Sequence, residues 1–348
     1  MKKSIIIISG IVLALFFHGC NGCGRKKAVT PLVNKTEIKQ IQKSLDIHIW
    51  RYEQALNAIP KDSIALGLKQ LQKDYYYFMG DNPSTPENVK QINDYLNDNK
   101  IKQLYADVQK QYSDLTSMKK EFTDAFSLLK YHFPEAIIPR IYTVIQGLYY
   151  EMPIAYIDTN LLISLDMYLG GNYKAYRQLG TDVPRFISRR YSQEFILADC
   201  FKEISYRYVK YSNSGNTLLD AMIYEGKRLM FSESMLPNLP DSLLFPFPQE
   251  KIQWAIDNEA NIWGYLIENN YLYSKDNVVI RKFVNEAPFT NFFGKQSPGR
   301  IGVWIGWQIC RSWIQKNPDR KLSELMQETD AQKILSESKY KPKNNIRI

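Results

Sequence analysis

The stretch AIIPRIYTVIQG at residues 136–147 decides the fold class, because it breaks a chain of otherwise helical periodicity. It is rich in β-branched residues and runs into Gly147, as strands often do, while Pro139 either weakens the strand or makes it an edge strand. A second β-like stretch, AYIDTNLLISL at residues 155–165, alternates apolar positions towards its end. We therefore predict a mainly α protein with a small sheet of two or three strands, in the α+β class.

Helical periodicity dominates the chain before this stretch. Apolar residues at steps of three or four form a stripe that stops at Pro60, and this stripe predicts one helix. Its members are Ile38, Ile41, Leu45, Ile49, Tyr52, Leu56 and Ile59. Thr85 and Pro86 have the identities of an N-cap and a first helical residue. A further helical rhythm between Ile101 and Leu129 completes a predicted N-terminal helical region over residues 34–133.

Helical patterns also return after the β-like stretches. We predict helical structure from about Tyr191 to Met230, around residues 251–268 and from about Gly299 to Lys316. These elements belong to a C-terminal region over residues 134–348. We expect residues 34–348 to fold as one compact unit.

The amino terminus has the features of an export signal. Lys2 and Lys3 precede an apolar stretch of 14 residues from Ser4 to Phe17, which is shorter than a membrane-spanning helix requires. Gly19-Cys20 follows it and resembles the bacterial lipobox, with cleavage before Cys20 and acyl chains on that residue. Acyl chains of this kind hold a folded domain stably at a membrane. A plain secretory signal cleaved elsewhere is the alternative.

This interpretation divides the first part of the chain into a lipoprotein signal peptide, residues 1–19, and a lipidated flexible tether, residues 20–33. The tether sequence NGCGRKKAVTPLV after Cys20 has no acidic cluster. We therefore expect a protein of the bacterial cell envelope that is bound to the membrane through its N-terminal lipid and faces the periplasm.

Composition excludes several classes of function. The formal net charge is +9, but lysine and arginine are scattered among acidic residues, so we predict no nucleic-acid partner. Only three histidines occur, and His48 and His132 are too far apart for an HExxH zinc helix. Since the sequence also lacks a GxSxG elbow and a GxxxxGK[ST] loop, we predict no metal, no cofactor and no catalytic residue.

Several segments, in order behind a lipoprotein signal, resemble the gliding-motility lipoprotein B (GldB-like) family of the Bacteroidetes. They are FPEAIIPRIYTVIQG at 133–147, LLISLDMYLGGNYKAY at 161–176, TLLDAMIYEGKRLM at 217–230, QWAIDNEANIWGYLIEN at 253–269 and APFTNFFGKQSPGRIGVWIGWQICRSWI at 287–314. The resemblance implies a non-catalytic component that acts through contacts with envelope proteins.

That family in turn resembles degenerate gluzincin-type HExxH metallopeptidases. Glu225-Gly226 is similar to the motif that presents the third zinc ligand, and Lys202, Glu203 and Tyr206 then match the HExxH helix. The resemblance implies that Lys202 and Tyr206 replace two histidine ligands, and that Glu203 matches the general base. We hypothesise that Lys202 pairs with Glu225 where a metal would bind. An ordinary solvent-facing Lys202 is the alternative.

Two other functional interpretations remain open. One is a residual hydrolase that binds metal through non-histidine ligands such as Glu203, Glu225 and Glu259. The other is a carbohydrate-binding lipoprotein, because the chain has 24 tyrosines and 6 tryptophans whose faces could stack on sugars.

Glycines at helical spacing indicate close helix packing. Gly302 and Gly306 lie at i and i+4 between Trp304 and Trp307, and they form either a packing surface or a groove for a partner. Gly226 has a similar role on its own helix. Arg300 either caps carbonyls or reaches a carboxylate such as Glu259.

Two cysteines lie in helical patterns of the C-terminal region. Cys200 and Cys310 form either a disulfide or two buried free thiols.

Overall fold

The computed structural model describes residues 31–177, 183–211 and 215–342. The predicted signal peptide and the lipidation residue Cys20 lie outside the described residues, and so does most of the predicted tether. None of the helices in the described ranges is long and apolar enough to cross a membrane.

A four-stranded mixed sheet lies at the centre of the chain. Its strands are β1 Ile49–Arg51, β2 Arg140–Val144, β3 Ile154–Ile157 and β4 Asn160–Ser164. The order is β1-β2-β4-β3, with β3 antiparallel to β4 and the other neighbours parallel. The α+β class is thus confirmed. The predicted strand number was too low, because the second β-like stretch is a hairpin and β1 comes from the N-terminal region.

The predicted single helix before Pro60 is wrong. The structure has helix α1 at Lys35–Ser44, then β1, then helix α2 at Tyr52–Asn57. The spacing of the apolar residues is compatible with a helix and with a strand. In the structure Ile49 does not lie in a helix but pairs in parallel with Ile141, 92 residues further along the chain. This long-range pairing leaves no local signal that separates strand from helix.

The remaining N-terminal helices follow the predicted signals. They are α3 Ile64–Leu71, α4 Tyr76–Met79, α5 Pro86–Asn97, α6 Asn99–Gln111 and α7 Thr116–His132. The Thr85 side chain accepts a hydrogen bond from the Asn88 amide, so the predicted N-cap is confirmed. The rhythm between Ile101 and Leu129 covers two helices, α6 and α7.

The C-terminal region is also largely helical. Its helices are α8 Arg185–Ser188, α9 Ile196–Tyr208, α10 Leu218–Met235, α11 Asp241–Leu244, α12 Gln249–Asp257, α13 Glu259–Glu268, α14 Asn277–Val284, α15 Ile301–Lys316, α16 Leu322–Gln327 and α17 Ala331–Ser338. The predicted last helix agrees with α15. The helix predicted around residues 251–268 is two helices that meet at Asn258.

The main hydrophobic core takes residues from both sides of the predicted boundary at residue 133. Phe122, Phe126 and Leu129 of α7 are buried in it together with Phe201 of α9 and Phe231 of α10. A smaller core joins Tyr142 of β2 to buried residues of the N-terminal helices, α3 and α5 among them. The division into two regions remains a prediction.

Helices α10 and α15 cross in direct backbone contact at the centre of the C-terminal region. A Cβ added at Gly226 would lie 2.2 Å from the Gly306 carbonyl carbon, and one at Gly306 would lie 1.8 Å from the Met222 carbonyl oxygen. The surface formed by Gly302 and Gly306 is therefore filled by α10, and Gly302 also touches Phe283 and Met222. These glycines therefore lie where the two helices approach each other closely.

His132, at the end of α7, makes stability depend on pH. Its Nε2 is buried without a hydrogen-bond partner among the described residues, and burial lowers the pKa of the imidazole to about 4. Unfolded histidine has a pKa of about 6.5, so the unfolded chain takes up this proton first as the pH falls.

We expect His132 to contribute stability above pH 6.5 that is lost progressively between pH 6.5 and 4, up to about 3 kcal/mol. His132→Phe should flatten this part of the curve of unfolding free energy against pH, measured by urea unfolding. If His132→Phe and the wild type had the same slope of unfolding free energy against pH in this range, His132 would not titrate as its burial implies.

Candidate functional site

The candidate site lies where α9, α10 and the N-terminus of α15 meet. Helix α9 packs on β3, and α10 packs on α9 and α15. Thr217 and Asp220 form a reciprocal capping box that fixes the start of α10. This arrangement brings two of the sequence-predicted positions, Lys202 on α9 and Glu225 on α10, to one small cavity that both line.

Glu225 forms two ion pairs with arginines. Its Oε1 accepts from Arg228 Nη1 at 3.0 Å, and its Oε2 accepts from Arg300 Nη2 at 2.9 Å. None of the ion pairs of the described residues includes the Lys202 ammonium. The hypothesised Lys202–Glu225 pair is therefore wrong, because two arginines already take both carboxylate oxygens.

The Arg228 guanidinium lies among the positions that the sequence singled out. It donates to Ser205 Oγ at 3.0 Å and to the Lys202 carbonyl at 3.1 Å, and it lies 3.5 Å from the centre of the Tyr206 ring. Tyr206 itself is otherwise exposed. Sequence reasoning missed Arg228, although its position three residues after Glu225 on one helix was a usable signal.

Arg300 joins this cluster to the loop before α15. It has a left-handed backbone with φ of 55°, and its Nε donates to the Val284 carbonyl at 3.1 Å. Its Nη1 and Nη2 reach Glu286 at 3.3 Å and Glu225 at 2.9 Å. Arg300 thus binds both a carbonyl and carboxylates, but Glu259 is not among them.

Glu286 and Arg190 extend the cluster further. Arg190 holds both Glu286 carboxylate oxygens, at 3.2 Å and 2.7 Å. Burial acts to raise the pKa of Glu286, but Arg300 and Arg190 outweigh it and hold that pKa at about 2. Glu286 is therefore ionised at any physiological pH. No local pattern in the sequence marks either residue, because their partners come from distant segments.

Burial dominates the protonation of the groups on α9. It lowers the pKa of Lys202, an effect that the nearby Arg300 reinforces. It raises the pKa values of Asp199 and Glu203. The Tyr168 hydroxyl donates to Asp199 Oδ2 at 2.9 Å. This group of side chains is thus a largely desolvated polar network.

The residues present do not fit a zinc ion. Zinc takes lone pairs from three or four side chains, whereas arginine nitrogens donate to both Glu225 oxygens here. Within the described residues, no three His, Cys, Asp or Glu side chains form a group that could hold a metal ion. Glu203, Glu225 and Glu259 are therefore not brought together as ligands, and Glu259 accepts from the Tyr340 hydroxyl at 3.0 Å.

The other singled-out residues are structural. Trp304 and Trp307 are fully buried, and Trp307 Nε1 donates to Glu233 at 2.8 Å. Cys200 and Cys310 are buried free thiols, so the disulfide alternative is wrong. Burial raises the pKa of Cys310 to about 12, which keeps its thiol protonated.

The fold and the site define a mainly helical α+β protein with a buried, arginine-rich ion-pair network between two packed helices. The family model for gliding motility protein GldB matches residues 33–342. The chain therefore belongs to the GldB family of gliding-motility-related lipoproteins of the cell envelope. No curated protein and no solved structure matches it.

The Glu225–Arg300 pair gives a direct test of this network. In a double-mutant cycle of Glu225→Gln and Arg300→Met, we expect a coupling energy of about 1–3 kcal/mol, because both groups are largely removed from water. The exposed pair of Lys90 and Asp94 is the control and should show no measurable coupling. Additive effects at Glu225 and Arg300 in urea unfolding would contradict the network.

Proposed function

We propose that the chain is a non-catalytic, lipid-anchored envelope protein that acts by holding partner proteins. The observation that supports this most is the position of the Arg228 guanidinium among Lys202, Tyr206 and Glu225. A cationic hydrogen-bond donor at this place binds Glu225, the carboxylate that a catalytic metal would need as its third ligand.

The same positions suggest an origin in gluzincin-type peptidases. In this hypothesis α9 corresponds to the HExxH helix and α10 to the helix that carries the third ligand. Lys202 and Tyr206 stand at the histidine positions, and Glu203 stands at the position of the general base. With Glu225 held by two arginines, the remnant of the site stabilises the fold and has no reaction to perform.

The membrane attachment rests on Cys20. Just after the predicted tether, the Asn34 amide donates to the Tyr131 hydroxyl at 3.1 Å. Asn34 follows Cys20 by 14 positions, and a chain of that length spans at most about 50 Å when extended. The folded domain therefore stays within reach of membrane proteins, with the domain on the periplasmic side in our proposal.

The anchor can be tested in cells that make the full chain. Cys20→Ser should abolish incorporation of a labelled fatty acid and move the protein from the membrane fraction to the soluble fraction. Cys23→Ser, three residues away in the same tether, is the matched control and should change neither property. Unchanged labelling of Cys20→Ser would contradict lipidation at this residue.

Crosslinking in living cells tests the proposed role. With a tagged full chain, we expect the same few envelope proteins to be crosslinked by the wild type and by Glu203→Gln. The Cys20→Ser variant should lose them. A protein that crosslinks to no specific partner, while it remains in the membrane fraction, would contradict a holding function.

A further inference from the structure

An open groove lies between helix α14 and the loop that leads from it to α15. Its volume is about 420 Å³, within the range of about 300–1,000 Å³ that is common for ligand pockets. Its lining residues include Val278, Arg281 and Lys282 of α14 and Ala287, Pro288 and Phe289 of the loop. The groove is separate from the small cavity that Lys202 lines, but Glu286 belongs both to its wall and to the ion-pair network.

The loop that forms one wall is held in place by side chains from elsewhere in the chain. Two arginines of the ion-pair network bind the Glu286 carboxylate. The Lys251 ammonium donates to three carbonyl oxygens of the loop, at 2.6, 3.1 and 2.8 Å. The ring of Phe292 stacks on that of Phe283 in α14, with the ring centres 5.0 Å apart. The groove is therefore preformed, so a ligand that binds in it does not first have to order the loop.

The groove presents two positive charges that have no acidic partner. The side chains of Arg281 and Lys282 are exposed and take part in none of the hydrogen bonds or ion pairs of the described residues. Lys282 has a cation–π contact with Phe292, 5.5 Å from the ring centre. The third charged residue of the lining, Glu286, is already bound by two arginines. The two cations therefore complement an acidic ligand.

The remaining lining residues suit a peptide. Asn285 and Asn291 line the groove, and their side-chain amides form no hydrogen bond with the described residues. An amide group both donates and accepts, which matches the N–H and C=O groups of a peptide backbone. Val278 and Pro288 add apolar surface beside these amides. Together these features match a peptide in which a carboxylate stands next to an apolar side chain.

We propose that this groove binds an acidic, partly apolar segment of an envelope protein partner. A carboxylate of the segment pairs with Arg281 and Lys282, and an apolar side chain packs on Val278. This inference rests on the proposed holding function and adds where, and by which chemistry, a partner is held. It also gives the ion-pair network a role, because its arginines fix Glu286 and with it one wall of the groove.

Photo-crosslinking in living cells tests the groove itself. A photoreactive amino acid replaces Val278, which is 49% exposed, in the tagged full chain. We expect a crosslink to one segment of an envelope protein in which acidic and apolar residues stand side by side. Arg281→Gln combined with Lys282→Gln should abolish this crosslink. The control, Lys119→Gln combined with Lys120→Gln, changes another adjacent pair of exposed cations and should leave the crosslink intact.

Several results of this experiment would overturn the proposal. They are a crosslink to lipid, a crosslink to a second copy of this chain, no crosslink, and a crosslink that survives the loss of both cations. Chemical crosslinking of the same cells separates such a failure from failure of the holding function. If the chemical route captures specific envelope proteins, the holding function stands and only the groove is wrong. If it captures none, both are wrong.

Binding in solution gives a second measurement. A labelled synthetic peptide with the sequence of the crosslinked segment should bind the purified full chain, as measured by fluorescence anisotropy. Replacement of its acidic residues by the corresponding amides should weaken binding by about tenfold or more. This comparison uses the wild-type chain, so it does not depend on how the variants fold. Equal affinities for the two peptides would contradict recognition by Arg281 and Lys282.

Discussion

Gly306→Ala is expected to lower the free energy of unfolding by at least about 3 kcal/mol. The new methyl group would lie 1.8 Å from the Met222 carbonyl oxygen and 2.5 Å from its carbon. Both atoms belong to the backbone of α10, which cannot move aside as a flexible side chain can. The two longest contacting helices of the C-terminal region would have to separate, and their buried side chains would lose contacts along the crossing.

Gly264→Ala is the matched control, since Gly264 also lies within a helix, α13. There the nearest atom to the new methyl group is Glu268 Oε1, at 4.0 Å. Because alanine favours helix more than glycine does, this variant should be more stable by about 0.5–1 kcal/mol. Urea unfolding measures both variants. We expect the two substitutions to change the free energy of unfolding in opposite directions. If both variants were stabilised, or both destabilised, the described helix crossing would be contradicted.

Arg311→Met is expected to cost about 3–5 kcal/mol, because it leaves a buried carboxylate without its cation. Arg311 on α15 donates through Nε and Nη2 to Glu233 at 2.9 Å, and it also pairs with Asp241 at 2.7 Å. Glu233 is 1% exposed. Burial raises the pKa of Glu233 and Arg311 opposes this, so removal of the arginine should drive Glu233 to its protonated form.

Arg320→Met is the control for this change. Arg320 also pairs with carboxylates, Glu324 and Glu337, and lies 4.7 Å from a tryptophan ring, but a third of its side chain is exposed. Its loss should cost less than about 1 kcal/mol. Glu233→Met combined with Arg311→Met should be less harmful than Arg311→Met alone, since the fully buried carboxylate is removed with its cation and the carboxylate that remains, Asp241, is partly exposed. A double variant no better than the single one would contradict this explanation.

Much of the fold could be predicted because its signals are local. The Thr85-Pro86 start of α5 and the apolar surface of α15 depend on neighbouring residues alone, and both agree with the structure. Strand β1 could not be predicted, because its three residues gain their partners from β2 about ninety residues later. An apolar stripe that fits a helix gave no sign of this pairing.

The candidate site shows the same limit. The resemblance directed attention to Lys202, Tyr206 and Glu225, and the structure does bring these positions together. The hypothesis had paired Glu225 with Lys202, however, whereas the cation on these two helices that binds Glu225 is Arg228. Arg190 and Glu286 meet only through folding, so no spacing in the sequence could have indicated them.

The central claim, that this protein works by contact and performs no hydrolysis, is tested most directly by a peptidase assay. The purified full chain would be supplied with zinc and a mixture of peptides, beside Glu203→Gln and the exposed control Glu194→Gln. We predict no turnover above background in any of the three proteins. Chelator-sensitive cleavage that is lost in Glu203→Gln and kept in Glu194→Gln would contradict the claim.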